Sequence, residues 1–84
     1  MEKTEKIVLK ILSGTADANI PFRQLCQVLY HFGFEERIKG SHHIFRKTGV
    51  LEKVNVQEDG DKAKPYQVKQ IRDVIVKYKL MEEL

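Results

Sequence analysis

The chain has one cysteine, Cys26, so no internal disulfide can brace it, and a reducing compartment suits it. No apolar run approaches the roughly 18 residues that a membrane span needs. The start, MEKTEKIVLK, carries acids and lacks the apolar stretch and small-residue cleavage site of a secretory signal. A cytoplasmic protein is therefore the expectation. Missing as well are HExxH, CxxC, a phosphate-binding P-loop and GxGxxG, which removes the usual metalloprotease, zinc-ribbon, NTPase and dinucleotide signatures. No internal repeat or low-complexity tract is visible. At 84 residues the chain has room for one core of modest size, so a single domain over 1–84 is expected. Chemistry on so small a scaffold belongs on an open face or shallow groove, with no cofactor domain to serve it.

What is present is globular in composition, with 42% hydrophobic and 32% charged residues. The net charge of +3 is unevenly spread: residues 1–36 sum to −1 and residues 37–84 to +4. A basic bias in one part of a fold can be a footprint for phosphates, although a solvated surface gives the same signal.

Apolar spacing predicts a short helix over 4–13, with Thr4 as N-cap and Ile7, Val8, Ile11 and Leu12 on one stripe. Residues 14–19 read as a loop. A second helix begins near Pro21, carries Leu25, Val28, Leu29 and Phe32 on one face, and ends at Gly33. Cys26 lies beside that stripe as a packed small hydrophobe. The period then changes. Residues 34–39, 42–47 and 51–57 are short β-type segments broken by Gly40-Ser41 and Thr48-Gly49, which predicts a three-stranded antiparallel meander. Residues 58–64, EDGDKAK, read as a polar loop. A last helix runs from Pro65 to about Leu80, with Val68, Ile71, Ile75 and Tyr78 on its stripe and a frayed MEEL tail. The order is an N-terminal helix followed by α-β-β-β-α, an α+β fold with helices on one sheet face and the other face open.

Two stretches carry a chemical signal. In KGSHHIFRK, residues 39–47, two histidines adjoin a Gly-Ser turn among three cations. Strand side chains alternate, so His42, Ile44 and Arg46 share one side and His43, Phe45 and Lys47 the other. Phe45 is the larger apolar group, which sends it toward the helices and leaves His42 and Arg46 on the open face. Metal-free RNA cleavage needs a base for the 2′-OH and an acid for the leaving oxygen, and an imidazole suits either role because its unperturbed pKa of about 6.5 is near working pH. The two histidines cannot act together across the strand, so the second role falls to Lys39, Arg46, Lys64, Tyr66 or a water. His43 reads as structural and His31 as surface. The second stretch, KAKPYQVKQIR at 62–72, sets Lys62, Lys64, Lys69 and Arg72 around a helix start, where a phosphate could dock and Tyr66 could stack on a base. An ordinary solvated helix start accounts for it equally well, and Glu58, Asp59 and Asp61 oppose the phosphate reading. A metal site is not expected, because one buried cysteine and two histidines on opposite strand faces do not make a zinc ligand set.

Three features together give a resemblance. LCQVLYHFGF at 25–34, GSHHIF at 40–45 and a closing basic helix after a Lys-rich turn are similar to the HicA-type toxin family, over about residues 20–80. The resemblance implies a fold like a double-stranded-RNA-binding domain and metal-independent endoribonuclease action on mRNA with no cofactor. It also implies a HicB-type antitoxin as partner. The family's catalytic histidine falls on His42, with Gly40 and Ser41 shaping the turn and Arg46, Lys64 and Lys69 holding RNA. The chain departs from the family pattern in its extra N-terminal helix over 4–13 (1–19 with its linker, ahead of a core over 20–80), in a spacing from Gly33 to Gly40 about one residue short, and in the acidic 58–61. A non-catalytic RNA-binding module and a protein-interaction domain on the same fold are the alternatives.

Overall fold

Helical apolar spacing matures into three helices, α1 (Lys3–Ser13), α2 (Phe22–His31) and α3 (Pro65–Lys77), in a computed structural model that describes residues 3–83. Between α2 and α3 the chain forms β1 (Glu35–Lys39), β2 (His42–Arg46), β3 (Val54–Asp59) and β4 (Lys62–Ala63), an antiparallel sheet in the order β1-β2-β3-β4. The α+β class follows the sequence expectation, but the sheet has four strands where the sequence indicates three. The extra strand lies inside the expected polar loop 58–64. It pairs with β3 on one side, and on the other it meets the entry to α2: Ala63 N–H donates to the Ile20 carbonyl at 2.9 Å, and Phe22 N–H donates to the carbonyl of Asp61, just before the strand, at 3.0 Å.

One apolar cluster joins all three helices to the inner face of the sheet. Ile7, Val8 and Ile11 of α1, Leu25, Val28 and Leu29 of α2, and Val68, Ile71 and Ile75 of α3 are buried against Phe45, Val54 and Val56. Phe45 is fully buried, and its truncation to alanine should cost about 3–5 kcal/mol. Helix α2 ends in a Schellman motif: Phe34 N–H donates to the Leu29 carbonyl at 3.0 Å and Gly33 N–H to the Tyr30 carbonyl at 3.0 Å. Gly33 supplies the positive φ, 84°, that this closure requires.

Details at the element ends depart from the sequence expectation. Thr4 lies within α1, and its hydroxyl accepts from Gln27 Nε2 at 3.5 Å, linking α1 to α2. Pro21 is the N-cap of α2, one position before the first helical residue. Helix α3 stops at Lys77, and Leu80–Glu83 form a 3-10 turn that buries Leu80 and packs Met81 on the core, so these residues do not fray as expected; Leu84 lies outside the described residues. Among the described residues no helix is long and apolar enough to cross a membrane.

Candidate functional site

The register of the sheet decides which side chains meet. Phe45 pairs with Glu36 and Val54, and His43 with Ile38 and Val56, so these point to the helix side. The alternate set points outward: Arg37 and Lys39 on β1, His42, Ile44 and Arg46 on β2, Asn55 and Gln57 on β3. His42 is exposed there. Its Nδ1 lies 3.1 Å from Asn55 Oδ1. An amide oxygen accepts only, so with this amide orientation Nδ1 is the donor, and in the neutral ring Nε2 is the atom left to accept a proton.

The turn that presents His42 is a two-residue hairpin, with Lys39 paired to His42. Gly40 takes φ 62° at its first central position, where glycine avoids the cost an L side chain would meet. No heavy atom lies within 4 Å of where a Cβ on Gly40 would stand, so the requirement is conformational and not steric. Ser41 Oγ accepts from Gln57 Nε2 at 3.0 Å, which ties the hairpin tip to β3. From the α3 side, Gln67 holds the same residue of β3. With its side-chain oxygen accepting from Gln57 N–H at 3.0 Å and its nitrogen donating to the Gln57 carbonyl at 3.2 Å, it completes the strand edge that β4 is too short to reach. The opposite amide orientation would set acceptor against acceptor.

Lys39 is the cation brought beside His42, directly across the hairpin on the same face. Arg46 is on that face too, but four residues along the strand, roughly 13 Å away at about 3.3 Å per residue. It cannot share one scissile phosphate with His42, but it can grip a phosphate further along a nucleic-acid backbone. Arg37, Lys39, Arg46 and Lys53 line a shallow groove of about 500 Å³ with Ile44, Glu35 and Glu36. The open face is thus cationic, with carboxylates at its β1 edge.

Lys64 and Lys69 are not brought to this face. Lys64 is the N-cap residue of α3 and Lys69 is exposed on that helix, whose apolar side packs on the inner face of the sheet. Tyr66 is likewise on α3, 65% exposed. The rest of the 62–72 signal is taken up by structure. Arg72 holds Asp17 with both terminal nitrogens, at 2.8 and 3.1 Å, and also donates to the Ile11 carbonyl at 3.1 Å, capping α1. Lys62 donates to Asn19 Oδ1 at 3.3 Å.

His43 belongs to a different environment. Its Nδ1 sits 2.7 Å from Glu36 Oε2, and its ring meets Phe22 edge-on with centroids 5.0 Å apart. The Tyr30 hydroxyl donates to the other Glu36 oxygen. Burial would raise the Glu36 carboxyl, but the hydrogen bonds from Tyr30 and His43 outweigh it and hold the group below the ordinary carboxylate range. The same bond pushes the Tyr30 phenol up to about 12. Cys26 is buried beside them, and desolvation, with Glu36 and Glu58 nearby, pushes its thiol up to about 12. A free nucleophilic thiolate is excluded there. Asn55, Gln57 and Glu36 escaped sequence reasoning because their roles depend on cross-strand register, which no local pattern encodes.

The site is thus an exposed imidazole set in a cationic sheet face on a small α+β scaffold. The model of the HicA toxin of bacterial toxin-antitoxin systems matches residues 22–79, and the chain belongs to that family. No curated protein and no solved structure matches it significantly. The matched segment begins at α2, so α1 lies outside it.

Proposed function

We propose that this toxin-family chain is a metal-independent endoribonuclease that cleaves mRNA in the cytoplasm and is neutralised by a HicB-type antitoxin. The observation that carries the proposal is the state of His42: exposed, its Nδ1 hydrogen-bonded to Asn55, and Lys39 opposite it. Nε2 of His42 takes the proton from a ribose 2′-OH. The oxygen then attacks the adjacent phosphorus to form a 2′,3′-cyclic phosphate, and the 5′ oxygen leaves as a hydroxyl with a proton taken from a water. Lys39 neutralises charge that builds on the phosphoryl oxygens. Gly40 and Ser41 fix the turn that sets this geometry, and Arg46 holds a phosphate further along the chain. Lys64 and Lys69, across the sheet, serve at most an outlying part of a long RNA. The helix-then-hairpin order supports the double-stranded-RNA-binding-like fold that the family resemblance implies, with β4 as a short addition. The antitoxin covers the open face of the sheet, since that is where the proposed chemistry lies.

The test is cleavage of a transcribed mRNA in the presence of EDTA, with growth arrest on expression as the cellular readout. Wild type should cut the RNA and arrest growth. His42→Ala should keep its circular dichroism and melting temperature and do neither. Cleavage by His42→Ala at the wild-type rate would overturn the assignment.

A further inference from the structure

The inner-side groove holds a second constellation, unrelated to the RNA face. Cys26 from α2, Glu36 from β1 and His43 from β2 place their ligating atoms all within 4.8 Å of one another. They line a groove of about 640 Å³ between α2 and the β1–β2 hairpin, with Phe22, Arg23 and Glu58 around them. We propose that this cluster binds a zinc-type divalent cation, with Cys26 Sγ, His43 Nδ1 and a Glu36 oxygen as ligands and a water or Glu58 in the fourth position.

Four observations support it. First, thiolate, imidazole and carboxylate are zinc's own donor set, and three protein ligands with one open place form a common arrangement. Second, the separations are close to what a tetrahedral ion needs. Bonds of about 2.0–2.3 Å put neighbouring donor atoms roughly 3.3–3.8 Å apart. The His43–Glu36 contact at 2.7 Å would open slightly to admit an ion, and no two of the three donor atoms are more than 4.8 Å apart. Third, the charge balance invites a cation. Glu36 and Glu58 lie near the thiol and Arg23 is the one Lys or Arg lining the groove, so one carboxylate charge stays uncompensated even before the thiol ionises. Metal binding supplies the compensation and releases the thiol proton to solvent. Fourth, the three ligands are half-buried or buried, whereas adventitious carboxylate clusters are exposed.

The ligands are separated by 10 and 7 residues and come from three elements, so no contiguous motif announces them. The pattern argues against a metal because one buried cysteine and two histidines on opposite strand faces do not make a zinc ligand set, and nothing local joins Glu36 to Cys26 and His43. His42 is not in the site at all. An ion bound there would staple α2 to the β1–β2 hairpin from beneath, on the side opposite His42. Its effect is on the hold of the hairpin and not on RNA chemistry.

Cobalt(II) is the probe, titrated into reduced full-length protein. Expected are the visible bands of tetrahedral cobalt with a near-ultraviolet thiolate charge-transfer band, and a melting temperature that rises with added zinc. Cys26→Ala should abolish the charge-transfer band, and His43→Gln should weaken cobalt binding by more than about tenfold. Circular dichroism confirms that each variant is folded, and His42→Ala serves as the control that binds like wild type. Should Cys26→Ala not fold, His43→Gln and Glu36→Gln carry the test by affinity. Absence of a charge-transfer band in the wild type, or unchanged affinity in the folded ligand variants, overturns the proposal.

Discussion

His42 and His43 are covalent neighbours with the same side chain, yet they occupy opposite worlds. His42 is exposed beside an amide and a lysine, whereas His43 is half-buried against a carboxylate and an aromatic ring. Strand alternation alone separates them. One side of β2 can then carry chemistry that requires solvent and substrate, while the other knits the hairpin to α2. The contrast also explains how so small a chain offers reactive groups without sacrificing its core: the open face carries no residue of the apolar cluster, and its half-buried Ile44 stands outside it.

Substituting each histidine in turn should separate the two roles. His42→Ala should lower RNA cleavage by about 10²–10⁴-fold while changing stability by no more than about 0.5 kcal/mol, as expected for losing a general base at an exposed position. His43→Ala should do the reverse. It leaves Glu36 without one of its two donors and removes the ring that touches Phe22, which should cost roughly 1–3 kcal/mol, while the purified folded variant still cuts RNA. Thermal denaturation together with cleavage of one RNA substrate checks both. A stable but inactive His43→Ala would show that the two sides of β2 are not independent.

The next contrast sets the two basic regions against each other. Arg46→Ala, on the open face, should weaken RNA binding across all sequences and reduce the slope of log affinity against log salt by about 1. Lys69→Ala, on α3 across the sheet, should leave both close to wild type. Binding isotherms at several salt concentrations distinguish them. Equal losses for the two variants would mean that RNA wraps the protein and does not lie on one face.

The open face was largely legible in advance because it depends on one rule. Phe45 has to be inside, and alternation then exports His42 and Arg46. The helices were legible for a similar reason, since apolar stripes such as Leu25, Val28, Leu29 and Phe32 mark a buried face directly. What could not be read depends on contacts distant in sequence. Strand β4 is held on its outer side by Ile20, whose carbonyl accepts from Ala63 some forty residues away. Arg72 looked like a phosphate ligand until the fold set Asp17 and the end of α1 beside it. The middle of β3, at Gln57, is held by Gln67, a side chain that mimics a strand and leaves no periodic trace.

The smallest effect expected is also the most specific to the His43 side. Glu36 is held below the ordinary carboxylate range in the folded chain, so at intermediate acidity the unfolded chain binds the proton more readily than the folded one. Stability should therefore rise with pH through that window: the contribution of Glu36 is complete above its unfolded pKa and disappears as pH falls through the folded one. Melting temperatures measured from about pH 3 to pH 5, bracketing the unperturbed carboxylate, should fall more steeply on acidification for wild type than for Glu36→Gln, which has no proton to gain. Asn55→Ala, which removes the partner of His42 on the other face, should leave that stability slope untouched. If Glu36→Gln retained the full wild-type slope, the carboxylate would not be anchored by Tyr30 and His43, and the distinction between the two faces would lose its electrostatic half.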